Sequence, residues 1–368
     1  MKKFTKAATA AAAGAALLLT AGCSARTDAG TGDDSTAGFA ADAVIGVALP
    51  AKTSENWVLA GDLFVSGLTE AGFQADVQYA AATGTVASQQ EQIEALVTKG
   101  AKVIIIGAED GSQLSAQVKT AKDAGAIVIA YDRLIMNTDA VDYYIAFDNF
   151  NVGVKQAESL LEGLEAKKPG GPWNIELFSG ALTDSNSAVF FQGAMSVLQP
   201  RIDAGDLVVV SGQVTQQQTA TEGWSAENAQ TRMDSLLVSH YKDKDIDGVL
   251  SPNDNLARAI ITSAQNAGKA LPVVTGQDSE EESVRWVVDG RQYSTINKDT
   301  RKLVAKVIES VKQLQTGATL EVNDTTSYNN GVKVVPAYLL APIAVTKANA
   351  AEAYADDPKL GPIARGEK

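Results

Sequence analysis

The chain has 368 residues, 45% of them hydrophobic and 20% charged, with a formal net charge of −13, a length that suits one large or two medium domains. So acidic a balance excludes nucleic acid as a partner, because phosphates need a basic footprint. With one cysteine and one histidine, His/Cys metal sites and internal disulfides are excluded, and no Gly-x-Ser-x-Gly turn presents a serine to His240.

Lys2, Lys3 and Lys6 form a basic start ahead of the apolar stretch Ala7–Leu19, which is too short to span a bilayer. Leu19-Thr20-Ala21-Gly22-Cys23 then resembles a bacterial lipobox, with Thr20 where that pattern more often has Leu. The resemblance implies a lipoprotein signal peptide over 1–22 and acylation of Cys23, which would anchor the exported protein to the outer face of the cytoplasmic membrane. An ordinary secretory signal is the alternative. Residues 23–42, rich in Gly, Ser, Thr, Ala and Asp up to Gly38, read as a flexible tether.

From Ala43 onward the hydrophobic pattern alternates. Strands are expected at Val44–Ala48, Ala75–Tyr79, Val103–Ile106, Ala126–Ala130 and Val141–Phe147. Helical spacing over Trp57–Leu68, Gln89–Val97 and Leu114–Ala124 separates the first four. The rhythm repeats after Asn151, with further strands at Trp173–Phe178, Leu207–Val210, Gly248–Leu250, Pro272–Thr275 and Tyr293–Ile296. Arg301–Leu314 is a strongly striped helix, and the tail Val332–Val345 is extended and broken by Pro336 and Pro342. Such alternation signals βαβ units and parallel sheets, and roughly ten strands suit two α/β lobes with a cleft between them better than one sheet.

A polar cluster follows each strand. The first leads to Asn56-Trp57, the third to Glu109-Asp110, the fourth to Asp132-Arg133 and the Trp173 strand to Asp184-Ser185-Asn186. Asn253-Asp254, Gln277-Asp278 and Asn297-Lys298 end later strands, and Trp224 sits in Glu222-Gly223-Trp224. Ligands bind beyond the carboxyl ends of strands in open α/β sheets. Helix capping explains Asp184, Asp254 or Asp278 taken singly, but not Arg133, Lys298, Trp57 and Trp224. Together these groups suit a sugar, whose hydroxyls bridge planar Asp, Asn and Arg groups and whose C–H faces pack on indoles.

The same residues carry a family resemblance. Tyr131-Asp132-Arg133, Phe147-Asp148-Asn149, Gly276-Gln277-Asp278, the run from Asn329 to Pro336, and the phrases Asn174–Phe178 and Gly193–Leu198 resemble periplasmic binding proteins for monosaccharides. The likeness is to the xylose-binding and multiple-sugar-binding subfamily and covers about residues 43–350. It implies a type I periplasmic binding protein: two doubly wound, Rossmann-like α/β lobes joined by three crossovers around a hinged cleft. The lobes would be 43–149 plus about 299–325, and 150–298 plus about 330–356.

Carried over by position, Trp57 and Trp224 flank the sugar ring, and Asp132 and Arg133 come from the first lobe. Asp184, Asn186, Asn253 and Asp278 come from the second, with Lys298 near the hinge. Asn56 stands where the family has Arg, and Ser185 replaces the middle Asn of an Asp-Asn-Asn. The resemblance implies a monomeric, cofactor-free, non-enzymatic receptor for an aldose such as xylose, glucose, galactose or arabinose. It would deliver the sugar to the permease and ATPase subunits of an ABC importer. The alternative is a sensing role through a chemoreceptor or sensor kinase.

Overall fold

The computed structural model describes residues 38–52 and 54–367, so the signal segment 1–22, the lipidation site Cys23 and most of the 23–42 tether lie outside the described residues. Among the described residues the first sheet comprises β1 (Val44–Leu49), β2 (Gln74–Tyr79), β3 (Val103–Ile106), β4 (Ile127–Tyr131), β5 (Tyr143–Phe147) and β11 (Ala337–Leu340). The second comprises β6 (Trp173–Leu177), β7 (Leu207–Val209), β8 (Gly248–Leu250) and β9 (Val273–Val274), with the pair β10 (Ser294–Asn297) and β12 (Ile343–Thr346) beside it. Hydrogen bonds from Tyr293 N to Val274 O (3.0 Å) and from Ile296 N to Gly276 O (3.1 Å) continue the second sheet into β10.

The helices are α1 (Glu55–Glu70), α2 (Thr85–Thr98), α3 (Ser115–Asp123), α4 (Asn149–Lys167), α5 (Ser185–Asp203) and α6 (Gln216–Thr219). They continue as α7 (Ala226–His240), α8 (Asp254–Asn266), α9 (Glu281–Asp289), α10 (Thr300–Gln315), α11 (Ala350–Ala353) and α12 (Leu360–Ala364).

Both sheets are covered on both faces, which is why the central strands β3, β4 and β8 are apolar runs rather than alternating. In the first, Ile45, Val47, Val103, Ile105 and Ile129 join Phe64 and Leu68 of α1 and Val304, Val307 and Val311 of α10 in one core. Ile104, Ile106, Val128 and Ala130, one residue out of phase, join Ile93 and Leu96 of α2 and Val118 of α3 on the opposite face. In the second sheet Val249 and Val274 face α7 and α8, while Ile175, Leu177 and Leu250 face α4 and α5.

The strand orders are β2-β1-β3-β4-β5-β11 and β7-β6-β8-β9, so each sheet reverses direction beside its first strand. A doubly wound sheet opens a crevice at that switch point. The α/β architecture is that of type I periplasmic binding proteins.

Two boundaries differ from the sequence expectation. The tether does not extend to 42, because Phe39 packs on the first core beside Phe73, with ring centroids 6.2 Å apart, and its N–H bonds Gln315 O at 3.1 Å. Residues from about 330 do not all belong with the second sheet. β11 adds in parallel to the free edge of β5, with Tyr338 opposite Ile145, because Val335 and Ala337 bury with Tyr328 in the core on the α2–α3 face of that sheet. Only after Pro342 does the chain return, as β12, to pair antiparallel with β10. The chain therefore passes between the sheets three times, after β5, after β10 and after β11. At the first passage Asp148 caps α4, its Oδ1 accepting from Asn151 N at 3.0 Å.

α4 and α5 cross with their backbones in contact. A Cβ on Gly153 would lie 1.9 Å from Phe190 O, and one on Gly193 would lie 2.0 Å from Phe150 O. Glycine is required at both positions by the close approach, not by φ.

Candidate functional site

A cavity of about 360 Å3 lies where the carboxyl ends of the two sheets face each other, and Asn56, Trp57, Asp132, Arg133, Asp184, Asn186, Trp224, Asn253, Asp278 and Lys298 all line it. Its size is at the lower end of the range of roughly 300–1,000 Å3 for small-molecule sites.

Arg133 is held on three sides. Its Nε lies 3.1 Å from Asp184 Oδ2 across the cleft, and its Nη1 donates to Ala108 O (3.1 Å) and Glu109 O (3.4 Å). The guanidinium also sits 5.3 Å from the Trp57 ring centroid. The fork is thus fixed before any ligand arrives, and Arg133 lines the cavity with donors to spare. Asp184 both caps α5, accepting from Asn186 N at 2.9 Å, and pairs with Arg133. Burial pushes the Asp184 carboxyl above its ordinary pKa, with Arg133 opposing the shift.

On the other side Lys298 Nζ lies 3.1 Å from Asp278 Oδ1 and 4.0 Å from Asp132 Oδ1. Burial disfavours the ammonium, but Asp278 and Asp132 outweigh it and raise its pKa, so Lys298 is a cation at neutral pH. Asp132 is fixed through its backbone. Its carbonyl accepts from Asn186 Nδ2 (2.8 Å) and from the Tyr144 hydroxyl (2.7 Å), which itself accepts from Asn149 Nδ2 at 3.0 Å. The Asp132 carboxylate is left to face Lys298 and the cavity.

Asp132 (φ 61°), Trp224 (φ 53°) and Asp278 (φ 90°) occupy the left-handed region, as does Ser279 (φ 54°) next in chain. Non-glycine residues there cost on the order of 1–3 kcal/mol each and cluster at binding sites, where surrounding contacts hold them. Part of that support is Asp254. Its buried carboxylate is no helix cap; it accepts from Gln292 Nε2 (2.7 Å), Thr295 Oγ1 (2.9 Å) and Glu280 N (3.0 Å), bracing the loop that presents Asp278. Asn253 is the cap of α8, its Oδ1 accepting from Leu256 N at 3.0 Å.

Each lobe contributes one indole, and each indole rests on a glycine at a strand end. A Cβ on Gly107, after β3, would lie 3.0 Å from Trp57 Cζ3; one on Gly180, after β6, would lie 2.1 Å from Trp224 Cη2. Trp57 also meets Tyr131 edge to face, with centroids 6.1 Å apart. The Trp224 Nε1–H is buried without a partner.

Two predicted residues spend their amides on the protein itself. Asn56 Nδ2 donates to Asp278 O across the cleft at 3.2 Å, and Asn186 holds Asp132 as described. Several lining residues were not selected from sequence. Gln277 is buried with Oε1 unpartnered; its place at a strand end beside Asp278 was the available signal. Phe190, whose ring lies 5.3 Å from Lys298 Nζ, sits inside a helix and carries no such signal.

The doubly wound sheets, three passages between them and a polar, Trp-bearing cleft define a solute-binding protein of the periplasmic type. The chain belongs to that family: the model of the periplasmic binding protein domain matches residues 45–319. It is 49% identical over 317 residues to the multiple sugar-binding periplasmic receptor ChvE of Rhizobium radiobacter, covering 84% of this chain and 89% of that protein. It is 34% identical to the D-xylose-binding periplasmic protein of Escherichia coli, over 85% of this chain and 89% of the relative. Among solved structures it is similar to an ABC transporter solute-binding protein of Clostridium phytofermentans with bound β-D-glucose. That match has TM-score 0.82 and 41% identity, covering 86% of this chain and 98% of that one.

Proposed function

We propose that the protein is an extracytoplasmic receptor that closes on a single aldose and delivers it to the permease and ATPase subunits of an ABC importer. The observation that carries the reading is the pairing of fixed charges with an indole from each lobe in one cavity. The Arg133 guanidinium donates, the Asp132 carboxylate accepts, and Lys298 between Asp132 and Asp278 donates where the two lobes meet. A pyranose matches this set because each hydroxyl both donates and accepts, while its C–H faces suit Trp57 and Trp224. Relatives named for xylose and for multiple sugars, and the related structure holding glucose, support an aldose as the ligand. The proposal extends to export, acylation at Cys23, action as a monomer and the absence of catalysis.

A panel of D-glucose, D-xylose, D-galactose and L-arabinose tests it by calorimetry and thermal shift. At least one is expected to bind and to stabilise the protein by about 2.7 kcal/mol at a hundredfold excess over Kd. No heat and no shift with any pentose or hexose would refute the reading. Steady release of chromophore from aryl glycosides would replace it with a hydrolase.

Gly180→Ala probes the indole of the second lobe. The added methyl would meet the Trp224 ring at 2.1 Å, so the ring must move off the sugar face. Affinity is expected to fall about tenfold, the loss of roughly one aromatic contact. Unchanged affinity by calorimetry would take Trp224 out of the binding surface.

A further inference from the structure

After β12 the chain folds back on the second lobe, where Val345, Ala350, Tyr354 and Ile363 bury against Val284 of α9. Three contacts from this short segment reach the cleft or the opposite lobe. The Tyr354 hydroxyl lies 2.6 Å from Ser279 Oγ, directly behind Asp278 in the left-handed pair Asp278-Ser279. Asp357 pairs with Arg301 Nη2 at 3.0 Å, at the start of α10, whose apolar stripe packs in the first lobe. Lys359 Nζ sits 2.9 Å from Glu281 Oε2 on α9 and 3.5 Å from Glu55 Oε2 on α1.

Lys359 thus stands between two carboxylates that belong to opposite lobes. Glu55 precedes Asn56, whose amide crosses the same cleft to Asp278 O. Arg285 holds the other Glu281 oxygen at 2.7 Å, so Glu281 is fixed on its own lobe while Glu55 is free to leave with the first. Closing the cleft brings Glu55 and Glu281 together; the Glu281 N–H donates to Glu55 Oε2 at 3.5 Å, and Lys359 is the cation that faces both carboxylates.

We propose that the segment after β12 is a closure clasp, in which Lys359 latches the lobes through Glu55 and Tyr354 is a positioning residue that holds Asp278 toward the ligand. The clasp rests on the sugar-receptor reading for its effect on affinity, but not for its effect on closure. Tyr354 acts on the site only through Ser279, and Lys359 only through the open–closed balance.

Lys359→Glu places three carboxylates at the cleft mouth. An exposed ion pair is worth about two- to fivefold in an equilibrium constant. Reversal of its sign is therefore expected to weaken aldose binding by about three- to twentyfold at low salt. The effect should shrink to within about twofold near 0.5 M salt, where the Debye length is only a few ångströms. The charge swap Glu55→Lys with Lys359→Glu restores opposite signs and should recover most of the affinity. Tyr354→Phe removes the hydroxyl without opening a cavity and should cost about three- to tenfold, independent of salt.

Small-angle scattering from the sugar-free full chain reads closure without a ligand. Lys359→Glu should give a more extended particle and the charge swap should reverse it, with melting temperatures unchanged. Unaltered scattering in Lys359→Glu, or failure of the swap to reverse the change, overturns the clasp. Wild-type affinity in Tyr354→Phe overturns the positioning role. If the wild type binds no aldose, the receptor reading falls while scattering still decides the clasp.

Discussion

Replacing Arg133 with Ala is expected to lower aldose affinity at least ~100-fold, equivalent to about 2.7 kcal/mol, while the chain stays folded. Arg133 carries two loads. Its side chain lines the cavity, and its Nε closes the first lobe on Asp184 of the second at 3.1 Å. Removing one partner of a buried, hydrogen-bonded charge pair costs on the order of 2–5 kcal/mol, much of it from stranding the other charge. Here the stranded group is Asp184. Burial already raises its pKa, and Arg133 is the main opposing influence, so without the guanidinium the carboxyl takes up a proton more readily and the interlobe pair is lost.

The fold survives because protonation relieves the uncompensated charge, and the Asp184 cap on Asn186 N remains available. Arg133→Lys should recover little, since an ammonium cannot reproduce a fork that meets Ala108 O, Glu109 O and Asp184 at once. Calorimetry with circular dichroism on the same samples checks the result. Affinity within threefold of wild type for Arg133→Ala would remove it from the site.

The largest stability effect is expected at the α4–α5 crossing. Gly193→Ala should lower the apparent Tm by about 2–4 °C, near 2 kcal/mol for a chain of this size. Two terms oppose. Alanine is about 1 kcal/mol better than glycine inside a helix, but its Cβ would lie 2.0 Å from Phe150 O and 3.2 Å from the Gly153 Cα. Both are backbone atoms, so no side-chain rotation relieves the clash and the helices must separate. Overpacking of this kind costs about 1–3 kcal/mol or more, and the crossing holds the amino end of α5, with Asp184 and Asn186, against the first lobe. The clash therefore outweighs the propensity gain. A Gly193→Ala protein that melts at or above the wild-type temperature would show that propensity governs the crossing.

Much of this molecule is determined by the sequence alone. Val103–Ile106 and Gly248–Leu250 are apolar on every residue because both faces of their sheets are covered, and such runs are readable without a structure. The polar groups that end those strands are readable for the same reason: a strand's carboxyl end is a local feature. Hence Asp132-Arg133, Asp184, Asn253, Asp278 and Lys298 could be named as site candidates before their meeting was visible.

Tertiary structure decided the rest, because it rests on contacts between residues far apart in the chain. The tail pattern of Val332–Val345 does not say which sheet edge is open, so β11 could be assigned only from its pairing with β5. Nothing local shows that Asn56 and Asn186 spend their amides across the cleft, on carbonyls 222 and 54 residues away. The left-handed backbone at Asp132, Trp224 and Asp278 is imposed by neighbours, not by residue type. Gly107 and Gly180 read as ordinary strand-end glycines until the indoles lying on them are seen. Periodicity and turn chemistry are local physics and survive in one dimension; edge choice, cross-lobe hydrogen bonds and strained backbone exist only once both lobes are folded against each other.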